Sequence, residues 1–280
     1  MRALLWDIDG TLTKGSGAGS RALAATLHTR PAALAELGRM KLDGMTDRAI
    51  IRILLAAELG HLQGPRRQGA PPPALSRTEA EARQLSALPV EQRMAQVREE
   101  EIDVVLGGYL AQLAALCKSG AFVPQAGIAQ LIPLLDRERE PPPSAEGNAH
   151  PFRARGGHER VLLGLCTGNL ERGAQLKLES VGLAHHFRFG GYGSDHESRP
   201  VLVKVAWQRA QALGATEGLV IDDAVRGVQA AHAAGLPVCG VATGRYSVHD
   251  LAVHGADLVI ENFADLEQSL ALLLGPLPRR

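Results

Sequence analysis

The sequence predicts an α/β protein built on an open, doubly wound parallel sheet, with an all-helical segment inserted near its start. Three observations carry this. Five short apolar runs lack polar alternation: "ALLWD" (3–7), "VLLGLCT" (161–167), "GLVIDD" (218–223), "PVCGVAT" (237–243) and "DLVIE" (257–261). Runs of that kind suit strands covered on both faces. Helical patterns separate the later runs, which is the alternation of a doubly wound, Rossmann-like core. The stretch 20–120, by contrast, is rich in Ala, Leu, Glu and Arg at helical spacing and shows no strand pattern. The expected division is therefore a core of residues 1–14 and 121–280 and a helical insert of 15–120.

Each helix has a stripe and a stop. Leu170, Ala174, Leu178 and Val181 share one helical face, and Gly182 is placed to end it. Pro200 suits a first helical turn; Leu202, Ala206, Ala210 and Leu213 follow on one stripe before Gly214. Val225, Val228 and Ala231 form a third stripe that closes at Gly235. Two segments break the pattern, "GPRRQGAPPPALS" (64–76) and "REREPPPSAEGNAHPFRARGGHE" (137–159). Their mixture of Pro, Gly and charge reads as flexible loop, the second lying within the core.

Bulk properties narrow the function. At 280 residues the chain accommodates one large domain with a smaller insertion. Lys+Arg and Asp+Glu balance at 30 each, so no basic field invites nucleic acid. Cys117, Cys166 and Cys239 are far apart and odd in number, which argues against a disulfide framework and for a reducing compartment. The apolar run after Arg2 is too short for a signal-peptide core, and no segment approaches membrane-span length. The expectation is a cytoplasmic protein with no membrane partner; nothing in the sequence specifies an oligomeric state.

Open α/β sheets bind ligands beyond the carboxyl ends of their strands. Four polar clusters fall at such ends: Asp7 with Asp9, then Thr167-Gly168-Asn169, then Asp222-Asp223, then Thr243-Gly244-Arg245. Carboxylates brought close together repel and are costly to desolvate without a positive partner. Asp7, Asp9 and Asp222 would make an oxygen-rich site suited to a hard cation such as Mg²⁺.

"DIDGTL", "LLGLCTGN", a cationic helix start in "SRPVLVK" and "LVIDD", in this order, resemble the motifs of the haloacid dehalogenase-like (HAD) hydrolase superfamily. The likeness is to its phosphatase branch with a helical cap, phosphoglycolate phosphatase-like proteins included. It covers nearly the whole chain. The resemblance implies that Asp7 attacks phosphorus to form an aspartyl-phosphate, and that Asp9 serves as general acid and then general base. It also implies Mg²⁺ held by the Asp7 carboxylate, the Asp9 backbone carbonyl and Asp222, with Asp223 beside it. Thr167, Gly168 and Asn169 would hold the phosphoryl oxygens. Dehalogenases of the superfamily lack the second acid, so Asp9 favours a phosphoester substrate. The third-motif cation is Arg199 by register, where relatives usually have lysine, with Lys204 one turn on as the alternative. Arginine keeps the charge and adds a planar fork. Ile221 replaces the glycine common before the last acids, and Arg226 stands where many relatives have a further acid; it would alter the metal surroundings or pair with Asp223.

The implied activity is Mg²⁺-dependent hydrolysis of a small phosphorylated metabolite. Phosphotransfer between positions of a sugar phosphate, as in hexose-phosphate mutases, and non-catalytic binding of phosphorylated ligands are the alternatives. "GMTD" (44–47) resembles the cap segment that faces the site in relatives, which makes Gly44, Thr46 and Asp47 candidates for reading the leaving group, with Arg245 at the rim. "GSGAGS" (15–20) lacks dinucleotide-fingerprint spacing and reads as a hinge. A rival pattern is Cys166 and Arg172, five residues apart as in cysteine-dependent phosphatases. Leu165, Asn169 and Gly173 do not fit the rest of that loop, and Cys166 reads better as a small buried strand residue.

Overall fold

The structure, a computed structural model, describes residues 1–61, 78–137 and 161–278. The loop expectations for 64–76 and for 138–159 fall outside the described residues. The first strand, β1 (Arg2–Trp6), is buried throughout. Its side chains alternate between the two faces of the sheet, as the pleat requires. Leu4 and Trp6 enter one apolar cluster and Ala3 and Leu5 the other. That double burial explains an unbroken apolar run.

After β1 the chain forms β2 (Thr13–Lys14), and after the insert it returns as β3 (Val123–Pro124). The two pair antiparallel, Thr13 opposite Pro124 and Lys14 opposite Val123, so the exit and return of the insert are fastened together. Between them stand α1 (Ala18–Thr26), α2 (Pro31–Leu37), α3 (Asp47–Leu59), α4 (Glu79–Ser86), α5 (Val90–Ala95) and α6 (Glu99–Lys118). Their apolar stripes close on a core of their own, with Leu23, Leu27, Ile51, Leu54, Ile102 and Leu113 at its centre. Thr46 starts α3 by accepting a hydrogen bond from the Ala49 amide at 3.3 Å.

The rest of the chain is α7 (Ile128–Arg137), β4 (Val161–Cys166), α8 (Glu171–Ser180), β5 (Gly190–Gly191), α9 (Arg199–Ala212), β6 (Glu217–Asp222), α10 (Val225–Ala233), β7 (Val238–Val241), α11 (Val248–Val253), β8 (Leu258–Ile260) and α12 (Leu266–Leu274). Six strands form one parallel sheet in the order β5-β4-β1-β6-β7-β8. Numbered within the sheet this is 3-2-1-4-5-6, whose winding reverses between β1 and β6. Residues of α7, α8 and α12 cover one face; residues of α9, α10 and α11 cover the other. No described helix is long and apolar enough to cross a membrane.

The five apolar runs are the strands β1, β4, β6, β7 and β8, shifted by a residue or two at their ends. The sequence reading missed β5 because Gly190-Gly191 has no apolar side chain to announce it. Its glycines have a packing reason: a Cβ on Gly191 would lie 2.1 Å from the Leu202 carbonyl oxygen of α9.

Trp6 anchors one face, fully buried with its ring edge-on to Phe263 at 5.4 Å between centroids. Trp6→Ala is expected to cost about 3–5 kcal/mol of unfolding free energy, read by urea denaturation, and Trp6→Phe clearly less because most of the buried ring volume stays.

Candidate active site

At the winding reversal, adjacent strands diverge and their carboxyl ends open a crevice. β1 delivers Asp7 there and β6 delivers Asp222, side by side because Trp6 pairs with Ile221 in register. Carboxylate oxygens of Asp7, Asp222 and Asp223 lie within 4.8 Å of one another, and all three residues are buried. Gly227 and Gly244 allow that crowding: a Cβ on Gly227 would come within 2.0 Å of the Asp222 carboxylate, and one on Gly244 within 1.6 Å of Asp223 Oδ2. Thr11 donates to Asp223 Oδ1 at 3.2 Å, and the Ala224 amide donates to Asp222 Oδ1 at 2.9 Å.

The cation for this cluster is Arg199, in the first turn of α9. One guanidinium nitrogen, Nη2, donates to Asp7 Oδ1 at 2.9 Å and to Asp222 Oδ2 at 2.6 Å. Lys204 is exposed one turn further along α9 and does not line the cavity; the helix carries it away from the strand ends. One guanidinium still leaves the cluster short of positive charge. Burial pushes the Asp7 carboxyl up to about 7; Arg199 opposes this, and the Asp222 and Asp9 charges push it further up. Burial beside Asp222 and Asp7 likewise holds Asp223 well above the usual carboxylate range. Three oxygen donors with an excess of negative charge fit a hard divalent cation, which Asp7, Asp222 and Asp223 would hold.

Asp9 faces the other way. Its side chain is 49 % exposed, into a cavity of about 460 Å³ that Thr167, Asn169, Arg199 and Asp47 also line. Lys177 Nζ donates to Asp9 Oδ2 at 2.5 Å and to Asn169 Oδ1 at 2.5 Å. Asn169 Nδ2 donates to the same Asp9 oxygen and to Thr167 Oγ1, each at 2.8 Å. Burial would raise the Asp9 carboxyl, but the Lys177 charge and the bonds from Lys177 and Asn169 bring it below its ordinary value. Thr167 Oγ1 accepts two bonds from Asn169, through its backbone and side-chain nitrogens, which leaves the threonine proton for an incoming acceptor.

The insert completes the cavity. The Asp47 amide donates to the Gly168 carbonyl at 2.8 Å, and the Leu170 amide returns a bond to Asp47 Oδ2 at 3.0 Å. The approach is so close that a Cβ on Gly168 would lie 2.0 Å from the Met45 carbonyl oxygen. Thr46 Oγ1 donates to the Glu197 carbonyl at 3.0 Å. Arg226 does not reach Asp223: its Nη1 donates to the carbonyls of Lys41 (3.0 Å) and Asp43 (2.9 Å), pinning the loop before α3. Gly44, at φ +69, lets that loop turn against Arg226. Arg245 pairs with Asp43 at 3.3 Å on the same rim. Gly15 to Ser20 line the cavity at the start of the insert.

The cysteine rival fails on this geometry. Cys166 is fully buried in β4, and burial pushes its thiol up to about 12, so no thiolate forms near neutral pH. Arg172, on the outside of α8, lies 3.8 Å from Glu179.

The sequence reading passed over Lys177 and Tyr109, both buried cavity-lining residues. Lys177 had a signal. It lies seven residues after Leu170 and three after Ala174, on the stripe of α8 that should be apolar. Tyr109 had none, being one more large residue on the buried side of α6.

Burial lifts the Asp47 carboxyl to about 6 from an ordinary 3.8, opposed by the Lys177 charge and the Leu170 amide bond. The folded state therefore binds the proton more tightly than the unfolded chain. This stabilises fully below pH 3.8 and is lost as pH rises through about 6. Asp47→Asn keeps an acceptor for Leu170 and removes the buried charge. Its melting temperature relative to wild type is expected to rise between pH 4 and pH 8, by up to ~3 kcal/mol in stability.

Comparison with known proteins agrees with the geometry. No curated protein matches the chain significantly. Solved structures with the same fold include a hydrolase from Pseudomonas syringae, 17% identical, covering 96% of this chain and 98% of its own, with a TM-score of 0.61. A predicted phosphatase from Clostridium acetobutylicum is 15% identical over 96% of this chain and 97% of its own, at 0.59. CbbY from Rhodobacter sphaeroides, solved in complex with phosphate, is 20% identical over 94% and 95%, at 0.53. The family model for haloacid dehalogenase-like hydrolases matches residues 1–235. The chain belongs to the haloacid dehalogenase-like hydrolase family.

Proposed function

We propose that the protein is a Mg²⁺-dependent phosphatase that hydrolyses a small phosphomonoester through a phosphorylated Asp7. The observation that carries this reading is that Asp7 and Asp9 line one cavity in contrasting surroundings. Asp7 sits among carboxylates and a guanidinium; Asp9 sits beside an ammonium and an amide. Two carboxyls two residues apart thus have different surroundings: a divalent cation among Asp7, Asp222 and Asp223 would keep Asp7 ionised for attack, while Asp9, half exposed to the cavity, is placed to exchange a proton with the leaving oxygen.

Arg199 donates to Asp7 Oδ1 and steadies the carboxylate, and we assign the attack to the other oxygen, Oδ2. It forms the bond to phosphorus while the ester oxygen leaves, taking a proton from Asp9, whose protonated form the negative charge of the phosphate ester entering beside it would favour. The Thr167 hydroxyl and the start of α8 receive the phosphoryl oxygens. Water then attacks the aspartyl-phosphate and passes its proton to Asp9, releasing phosphate and restoring Asp7. A divalent cation held by Asp7, Asp222 and Asp223, with the Asp9 backbone carbonyl, supplies charge neutralisation between an anionic nucleophile and an anionic ester.

The residues 15–120 act as a cap on a core of 1–14 and 121–280. Gly44, Thr46 and Asp47 bring the cap to the phosphate loop, and Arg245 guards the rim. Apolar Leu23, Met45, Ile50 and Phe122 alongside polar Ser16, Ser20 and Tyr109 suit a leaving group of metabolite size. Arg226 serves cap docking, so the missing later acid does not weaken the reading.

Turnover of p-nitrophenyl phosphate is expected, abolished by a chelator and restored by Mg²⁺. Asp7→Asn should lower kcat by ~10³-fold or more. Cys166→Ser should retain most activity. An active Asp7→Asn with an inactive Cys166→Ser would return the case to a thiolate.

A further inference from the structure

Lys177 is the buried cation that the phosphoryl-transfer scheme leaves without a task. It is 2 % exposed in the last turn of α8, on a stripe where an apolar side chain would pack at no electrostatic cost. Burying an ammonium costs several kcal/mol unless it is paired and hydrogen-bonded. The pairing observed is with the active-site cavity and not with a surface acid.

We propose that Lys177 is a positioning residue that holds the Asp9 carboxylate by one oxygen, leaving the other oxygen turned to the bridging oxygen of the substrate. The inference rests on the phosphatase reading above and goes one residue further. Asp9 sits after the end of β1, its backbone bridged to Thr13, and half of its side chain faces open cavity. A free carboxylate there would rotate among several orientations. Lys177 Nζ and Asn169 Nδ2 both converge on Oδ2, at 2.5 and 2.8 Å, so both fixed donors act on the same oxygen. Asn169 Oδ1 accepts from Lys177 in turn, which locks the amide so that its nitrogen faces Asp9 and Thr167. Phe122, with its ring centroid 5.5 Å from Nζ, supports the ammonium from the insert side. The lysine therefore couples three parts: the proton-transfer acid, the phosphate-binding threonine through Asn169, and the returning edge of the insert.

Aiming a general acid matters in proportion to the basicity of the leaving group. A nitrophenolate departs with little need of a proton, whereas an alkoxide requires one. Formation of the phosphorylated enzyme is read by kcat/KM. Lys177→Met and Lys177→Gln are to be compared with wild type on p-nitrophenyl phosphate and on glycerol 2-phosphate, with Mg²⁺ present. The expected result is a loss of ~10²-fold on the alkyl ester and under ~10-fold on the aryl ester. In an Asp9→Asn background, adding Lys177→Met should cause little further loss on the alkyl ester, since the two residues act as one unit. Equal losses on both esters, no loss, or an additive double variant would overturn the proposal. So would failure of both Lys177 variants to keep the wild-type thermal melt, which would make the lysine structural. A wild type that turns over neither ester, or an active Asp7→Asn, would instead sink the phosphatase reading itself.

Discussion

Negative charge is crowded where β1 and β6 end, and much of the surrounding chain serves to hold it there. Asp7, Asp222 and Asp223 are buried with carboxylate oxygens within 4.8 Å of one another. Left alone, such a group would protonate or spread apart. Arg199 bridges two of its members, the glycines facing Asp222 and Asp223 leave no side chain in the way, and Thr11 and the Ala224 amide take two further oxygens. The parallel pairing of β1 with β6, in register at Trp6 and Ile221, makes the proximity unavoidable. The apolar faces around Trp6 and Leu5 in turn fix that pairing. The electrostatic strain is thus concentrated at one point of a well-packed sheet, which is how a preorganised site is stabilised by its scaffold.

The helical insert shares the same site. It exchanges hydrogen bonds with the loop after β4, the Asp47 amide to the Gly168 carbonyl and the Leu170 amide to the Asp47 carboxylate, and the approach depends on the absence of a side chain at Gly168. Around that contact Arg52, Arg226 and Arg245 reach across to acids or carbonyls of the opposite part. The exposed Arg245–Asp43 pair contributes little individually, whereas Arg52 binds both oxygens of a partly buried Glu197. Their arrangement around the rim defines how the insert sits, while the antiparallel pairing of Thr13–Lys14 with Val123–Pro124 keeps its two ends together. Arg226 illustrates how a motif departure can have a different meaning from the one its position suggests. It stands four residues after Asp222, yet its guanidinium turns away from the carboxylates toward the loop of Lys41 and Asp43.

Two carboxyls in one short segment acquire opposite characters from their neighbours. Asp7 is lifted by burial and by the other acids; Asp9 is brought down by an ammonium from α8. The difference arises because Asp7 ends a strand between two others, while Asp9 lies beyond the sheet and faces the cavity. Surroundings, and not the residue type, which is the same in both, thus set the two carboxyls apart.

The strands with apolar side chains were legible because double burial demands unbroken apolar runs, and the acids stood out because they interrupt such runs at their carboxyl ends. Local pattern thus determined the fold class, the direction of the sheet's binding edge, and the candidacy of Asp7, Asp9, Thr167 and Asp222, while Arg199 entered through the family motif. It could not announce Gly190-Gly191 as a strand, since two glycines have no side chains with which to signal burial. Motif register alone favours Arg199 over Lys204; the docking of α9 against the sheet is what turns Arg199 inward and leaves Lys204 exposed. The same holds for Lys177, whose partners lie eight and 168 residues away in the chain. Pairings over such distances depend on how helices settle on the sheet, and that is decided by the packing of the whole core.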